Sequence, residues 1–360
     1  MGSANILNSE FFSIPNSEFL IPNFKIVFNW GLIGAGDIAR KRVAPAMRDS
    51  PACELLAIAR ARAELADEFA RSFGESQAND ASTSSVVVRP YSRWQDLVRD
   101  PDLDGVYVAT PVYLHAEHTT AAADAGKHVL CEKPMAMSLA ECDRMIAACR
   151  ANGVTLGIAY YRHFYPVVAR IKQVIESGEV GDPVLVHVNA FEPFNPGPDH
   201  PRSWLLKKAQ SGGGPMFDFG CHRLEVLINV FGPISRASGM MATVRFEREV
   251  EDTAVALLQL RNGACATIAV THAAEVSRDT IDIYATLGSL HVGNLNGGDV
   301  RIIAGGDDRR ESHPPAANLH RPLIDDFVSA VASGREPGVT WEIGRAVARL
   351  EDQIYADGFP

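Results

Sequence analysis

No run of apolar residues in the 360-residue chain is long enough to span a bilayer, so no helical membrane span is expected. No basic segment followed by a long apolar core opens the sequence, so no secretory leader is expected either. Basic charge is scarce: 34 Lys and Arg stand against 44 Asp and Glu, for a formal net charge of −10. That balance argues against a nucleic-acid backbone or an anionic membrane as the main partner. The six cysteines (Cys53, Cys131, Cys142, Cys149, Cys221 and Cys265) form no C-x-x-C pair and no Cys/His cluster at metal-ligand spacing. Reduced thiols, a cytoplasmic location and no bound metal are the expectation. There is no solenoid-type repeat, although Asn8-Ser9-Glu10-Phe11 returns once as Asn16-Ser17-Glu18-Phe19.

Apolar residues make up 46% of the chain, and its length suggests about two domains. Residues 1–24 read as an extension outside the fold, 25–152 as a first domain and 153–360 as a second. In the first domain, short apolar runs at 26–33, 53–59, 86–89, 105–109, 128–132 and 153–159 read as strands. Helical patterns at 37–47, 63–73, 94–98, 114–125 and up to 151 after a Ser138 cap separate them, with a polar loop at 75–85. This alternation predicts an α/β fold with a parallel, doubly wound sheet. After Pro166 the rhythm changes. A helix at 167–177 precedes strands at 184–191, 238–246, 254–260, 264–271, 280–285 and 289–292, with Asn262-Gly263 as a hairpin turn. A large, mostly antiparallel sheet with helices on one face is predicted, closed by helices at 319–332 and after Thr340.

Gly34-Ala35-Gly36-Asp37-Ile38-Ala39 sits between the first strand and the first helix. That is the context of a dinucleotide-binding turn. Gly34 makes the turn, Gly36 lets backbone approach a pyrophosphate, and Ala39 permits close helix–strand packing. The free N–H groups of the first helical turn, around Asp37 and Ile38, then face the phosphates. An ordinary strand–helix turn is the alternative. Two further stretches end strands, where open α/β sheets bind ligands: Thr110-Pro111, with His115 opening the next helix, and Glu132-Lys133-Pro134. A third is Gly212-Gly213-Gly214 followed by Asp218, Gly220 and His222. A helix over 217–231 would put Asp218 and His222, four apart, on one face.

With these residues in this order, the chain resembles the glucose–fructose oxidoreductase and inositol dehydrogenase (Gfo/Idh/MocA) family over nearly all of 25–355. The resemblance implies a Rossmann domain followed by an α/β domain with an open antiparallel sheet. It implies a tightly held nicotinamide dinucleotide and hydride transfer at a secondary alcohol or ketone of a sugar, polyol or related cyclic substrate. It also implies that Lys133 meets Asp218 and His222 across the cleft. His222 is then the general acid/base, Asp218 orients it or pairs with substrate, and Lys133 steadies charge on the reacting oxygen. Thr110, Pro111, His115 and Glu132 fall beside the cofactor. Tyr161-Arg162-His163 resembles a segment lining the substrate pocket, although many relatives carry arginine where His163 stands. Trp204 lies either beside the nicotinamide or in plain loop packing.

Two departures concern the cofactor. Asparagine often follows Thr-Pro in relatives, and Val112 stands here. The second strand ends in Arg60-Ala61-Arg62, where NAD enzymes usually carry an acidic residue. Two arginines there suit a 2′-phosphate, which favours NADP over NAD. Two other activities remain open: a redox-neutral, NAD-dependent glycoside-processing enzyme working by oxidation and elimination, and a catalytically silent nucleotide-binding sensor. A homodimer or homotetramer formed through the open sheet of the second domain is expected.

Overall fold

A computed structural model describes residues 27–78 and 87–356. The expected N-terminal extension and most of the expected loop at 75–85 lie outside the described residues. The first apolar run is β1 (Phe28–Ile33), followed by a helix that begins with a π-helical turn (Ala39–Val43) and continues as α1 (Ala44–Asp49). Then come β2 (Cys53–Ala59), α2 (Ala63–Ala78), β3 (Arg89–Tyr91), α3 (Trp94–Val98), β4 (Gly105–Val108), α4 (His115–Asp124), β5 (His128–Cys131), α5 (Leu139–Ala151) and β6 (Leu156–Ile158). The six strands form one parallel sheet in the order β3-β2-β1-β4-β5-β6. β1, β4 and β5 are buried along almost their whole length, as expected when helices cover both faces. The strand order reverses between β1 and β4, so their carboxyl ends lie side by side at the switch point, where doubly wound sheets bind ligands.

Three boundaries differ from the sequence reading. α2 does not stop at Gly74 but continues to Ala78, because a lone helical glycine costs only about 1 kcal/mol relative to alanine. The third strand is Arg89–Tyr91 rather than 86–89. β6, expected over 153–159, is confined to Leu156–Ile158, where it pairs with β5 in the parallel sheet.

The second half comprises α6 (Pro166–Glu176), β7 (Pro183–Phe191), α7 (Lys208–Ser211), a π-helical turn (Met216–Gly220) leading into α8 (Cys221–Phe231), and β8 (Ile234–Ala242). β9 (Thr253–Leu260), β10 (Cys265–Thr271), β11 (Arg278–Ala285), β12 (Gly288–Asn294), β13 (Asp299–Ala304), β14 (Asp307–Ser312), α9 (Arg321–Ser333) and α10 (Trp341–Ala356) complete it. The eight strands run in the order β14-β13-β12-β11-β7-β10-β9-β8, and every pair is antiparallel except β7 with β10. β7 and β9 alternate buried with more exposed positions, so helices cover one face and the other stays open.

β8 ends at Ala242, four residues short of the expected strand at 238–246. The Asp252 carboxylate accepts N–H bonds from Val244, Arg245 and Phe246, holding those residues in a loop. The hairpin β13–β14 was not expected; Asp307-Asp308-Arg309-Arg310-Glu311-Ser312 carries no apolar residue to mark a strand. It is an edge strand kept polar, tied across the hairpin by Arg301 Nε on Asp308 at 2.7 Å. The last two helices return to the first domain. Phe327 of α9 packs 5.5 Å from Trp30 of β1, and α10 lies against α5, β6, α8 and β8. All six cysteines are unpaired, and only Cys265 is exposed.

Candidate active site

At the end of β1, Gly34 has φ +88°, and a Cβ there would lie 2.7 Å from backbone atoms of Ala109 and Thr110. The chain must therefore be glycine where it turns past β4. Gly34→Ala is expected to cost about 2 kcal/mol, read as a lower denaturant midpoint with weakened dinucleotide binding. Gly36 is different. Its φ is ordinary, and a Cβ would meet nothing closer than 3.9 Å. A side chain at 36 would instead enter the open space ahead of the helix. Ala39 is fully buried behind the turn. Ile38 is half-buried, and exposed Asp37 pairs with Lys41 at 3.0 Å. These residues fit a dinucleotide: the turn for its phosphates and the strand ends beside it for the remainder.

Beyond β2, the half-buried Arg60 side chain lies near Arg40 and Arg62. Burial first, then repulsion from those two, lowers its pKa. The nearby carboxylates are engaged, Asp37 by Lys41 and Glu68 by Arg40 at 3.5 Å. No carboxylate occupies position 60 to accept a ribose hydroxyl, as the sequence indicated.

His115 works as a clamp. Its Nε2 lies 2.8 Å from the Thr110 carbonyl and its Nδ1 2.9 Å from the Pro134 carbonyl, so one buried ring ties the loops after β4 and β5 together. Burial lowers its pKa, against the two carbonyls, which favour the protonated ring. Thr110 Oγ1 in turn meets Nδ1 of His118 at 3.1 Å. Glu132 is also buried. It accepts the Tyr107 hydroxyl at 2.7 Å and the Lys133 N–H at 3.2 Å, with His320 Nε2 3.5 Å away. These contacts fix the strand end from which Lys133 projects.

Lys133 crosses to the second domain. Its Nζ donates to the Asp218 carbonyl at 2.6 Å and to Asp218 Oδ1 at 3.1 Å. An ammonium has three donors, so one remains for a ligand. Burial opposes the charge on Lys133, but Asp218 and other nearby anionic groups outweigh it and hold its pKa above the ordinary lysine value. Asp218 is likewise desolvated, yet Lys133 and Arg202 keep its carboxyl below the usual range. Arg202, which sequence reasoning did not single out, reaches Asp218 Oδ2 at 3.6 Å from the loop before the glycine run.

His222 is buried between Tyr160 and Tyr161, with ring centroids at 5.6 and 4.9 Å, and its Nδ1 has no hydrogen-bond partner. Burial, then the cationic Arg162, Lys133 and Arg223, push its pKa well below the ordinary histidine value. Burial and these three cations favour the neutral ring. Among the described residues no hydrogen bond joins Asp218 to His222. The π-helical turn at Met216–Gly220 breaks the 3.6-residue spacing from which their shared face was inferred.

Gly212-Gly213-Gly214 has a packing role. Cβ atoms at these positions would strike Phe217, Tyr355 and Glu251 in turn. Buried Glu251 accepts the Gly214 N–H at 2.8 Å and the Tyr355 hydroxyl at 2.7 Å, which anchors the start of the Asp218–His222 helix. Behind that helix, Glu351 is fully buried with neither carboxylate oxygen hydrogen-bonded, and burial raises its pKa well above the ordinary value. A raised folded-state pKa gives stability that is present at low pH and lost as pH rises through that pKa. Glu351→Gln should therefore gain about 1 to 2 kcal/mol over wild type near about pH 8 and little near about pH 5, by urea midpoints.

Of the expected substrate contacts, Arg162 lines a cavity of about 440 Å³ together with Phe219, Arg223, Asp279 and Asn296. Tyr161 accepts a hydrogen bond from Arg162 at 2.8 Å and packs on His222 and His320. His163 does not line the cavity; its Nδ1 is 2.6 Å from buried Glu225 on α8. Trp204 is half-buried on the short turn Ser203–Leu206. Arg223, Asp279 and Asn296 were missed because nothing local marks them; only the fold brings β11 and the β12–β13 turn to α8.

Residues 28–160 match the family model described as the oxidoreductase family, NAD-binding Rossmann fold, and residues 168–291 match the GFO/IDH/MocA C-terminal domain. The 1,5-anhydro-D-fructose reductase of Ensifer adhaerens is 31% identical over 325 residues, covering 88% of this chain and 91% of the relative. A levoglucosan dehydrogenase in complex with NADH and levoglucosan superposes with a TM-score of 0.79 at 26% identity, over 92% of this chain and 96% of that one. A 3-ketoreductase from Actinomadura kijaniata, in complex with NADP and TDP-benzene, gives 0.80 at 25% identity, over 93% and 100%. Both halves of the molecule and the residues that meet between them lead to one assignment: the chain belongs to the GFO/IDH/MocA family of NAD-binding oxidoreductases.

Proposed function

We propose that this oxidoreductase interconverts a secondary alcohol and a ketone on a sugar or polyol, with Lys133, Asp218 and His222 at the reacting centre. The observation that carries the reading is the Lys133 ammonium, spanning the two domains to Asp218, with the His222 ring buried nearby and its Nδ1 unpartnered. The dinucleotide, when bound, takes up or supplies the hydride. Lys133 directs its remaining N–H at the substrate oxygen and offsets alkoxide charge as it develops. His222 accepts the hydroxyl proton in the oxidative direction and returns it in the reductive one. Asp218 holds Lys133 charged and in place. Tyr160 and Tyr161 exclude water from the His222 ring.

Arg60 and Arg62, with Arg40 beside them, support a preference for NADP through the 2′-phosphate. The open sheet face carries exposed Met240, Leu257 and Tyr284, which supports burial against a second copy in a homodimer or homotetramer. Light scattering showing only monomer at micromolar concentration would remove that assembly.

The test is a panel of sugars, polyols and glycosides assayed with each dinucleotide. Nicotinamide reduction that tracks oxidation of a neutral or acidic polyol supports the reading. Glycoside cleavage with catalytic dinucleotide and no net reduction would replace it with an oxidation–elimination enzyme. Dinucleotide binding with no turnover of any class would indicate a sensor.

A further inference from the structure

The cavity beside the proposed centre contains two guanidinium groups with too little to hold. Arg162 and Arg223 are 8% and 4% exposed, and the Nε of each has no hydrogen-bond partner. Arg162 donates only to neutral oxygens, those of Tyr161 at 2.8 Å and Asn296 at 3.5 Å. Among the described residues no carboxylate lies within ion-pair distance of it. Arg223 donates to the Phe219 carbonyl at 3.1 Å, and its Nη2 lies 2.7 Å from Asp279. Asp279 is also bonded by Asn296 Nδ2 at 3.2 Å. The two guanidiniums repel one another as well: after burial, Arg162 is the largest influence lowering the Arg223 pKa.

A buried, unpaired guanidinium is costly, and arginine does not relieve the cost by losing its proton. The missing partner is an anion. Around the cavity, Arg162, Arg223 and Arg278 face only Glu192 and Asp279, which leaves one positive charge over. This matches a monoanion better than a phosphate dianion, and the planar fork of arginine matches the two oxygens of a carboxylate. The volume of about 440 Å³ is within the range of small-ligand pockets. The geometry also links this cavity to the reacting centre. The Tyr161 hydroxyl touches Arg162 while its ring packs 4.9 Å from His222.

We propose that the substrate is a polyhydroxy acid, its carboxylate held by Arg162 and Arg223 while its alcohol carbon faces Lys133 and His222. The proposal rests on the function given above and narrows its substrate class.

Calorimetry on the intact protein saturated with dinucleotide tests it, with D-gluconate and D-glucuronate as acid probes and D-glucitol and D-glucose as their neutral counterparts. Steady-state turnover is measured on the same four. The acids should bind about 10- to 100-fold more tightly than the neutral compounds. Arg223→Gln should erase that advantage while changing the neutral compounds by only a few-fold. Arg162→Gln gives a second, independent removal, and the wild-type comparison requires neither variant to fold. Equal binding of acid and neutral probes, or inorganic phosphate binding as tightly as the acids, would overturn the carboxylate site. In the first case, turnover of the neutral probes would leave the proposed function standing. Conversely, acids that bind through Arg223 without any change in the nicotinamide would uphold the site and remove the function.

Discussion

Lys133→Met should lower kcat by about 10³-fold, near 4 kcal/mol in the barrier, while dinucleotide affinity changes by less than about tenfold. Methionine keeps the length of the stem but removes the ammonium that bonds Asp218 at 2.6 and 3.1 Å. In the proposed role the loss belongs to kcat, because the lysine's remaining donor would face charge that develops only as the alcohol ionises. A second consequence separates this role from simple propping. Lys133 is the strongest influence holding the Asp218 carboxyl below its ordinary pKa, against burial that pushes it up. Without Lys133, Asp218 keeps Arg202 at 3.6 Å and the weaker influence of His272, so its pKa rises. The pH profile of the Asp218 carboxyl itself, followed by NMR, should then move to a higher pH than in the wild type. A variant that merely lost domain alignment would show raised KM for both ligands and an unmoved pH profile.

Arg60→Asp should reverse nucleotide preference, with NADP weakened by about 100-fold and NAD strengthened, for a swing of roughly 10³ in the ratio of dissociation constants. The side chain at 60 stands at the carboxyl end of β2, its N–H bonded to the Tyr91 carbonyl at 3.0 Å. The backbone there is tied down, so the substitution changes chemistry more than position. In the wild type the site is a cluster of guanidiniums whose nearest carboxylates are already engaged. Aspartate would remove the 2′-phosphate's partner and supply an acceptor for a ribose hydroxyl. Calorimetry with both nucleotides decides the matter. Tighter NAD than NADP binding by the wild type would show that Arg60 and Arg62 face solvent instead of the cofactor.

The layout was legible where local chemistry is decisive. β2 and α3 begin and end where the apolar pattern put them. Ser138 caps α5 through the Glu141 N–H at 3.3 Å, and Asn262-Gly263 turns β9 into β10 with Gly263 at φ +91°. What escaped depended on distant partners. The end of β8 is set by Asp252 gathering three N–H groups, which no alternation pattern encodes. Asp218 and His222 were read from ordinary helical spacing; the π-helical turn that carries Asp218, and its bond to Lys133, were not legible there. The glycine run served as a marker, but its reason is steric: Phe217, Tyr355 and Glu251 occupy the space side chains would need. Arg223, Asp279 and His320 carry no motif, and they reach the cleft only because β11 and the start of α9 fold back on it.

In the proposed function, hydride is transferred at an alcohol carbon positioned by Lys133 and His222. Its most direct test follows deuterium from a carbon-deuterated polyol or polyhydroxy acid in a single turnover, with the reduced dinucleotide analysed by mass. The deuterium should appear on the dinucleotide, with the transfer slowed about 10³-fold in Lys133→Met. Product formed with no deuterium on the dinucleotide, or transfer at an undiminished rate in Lys133→Met, would contradict it.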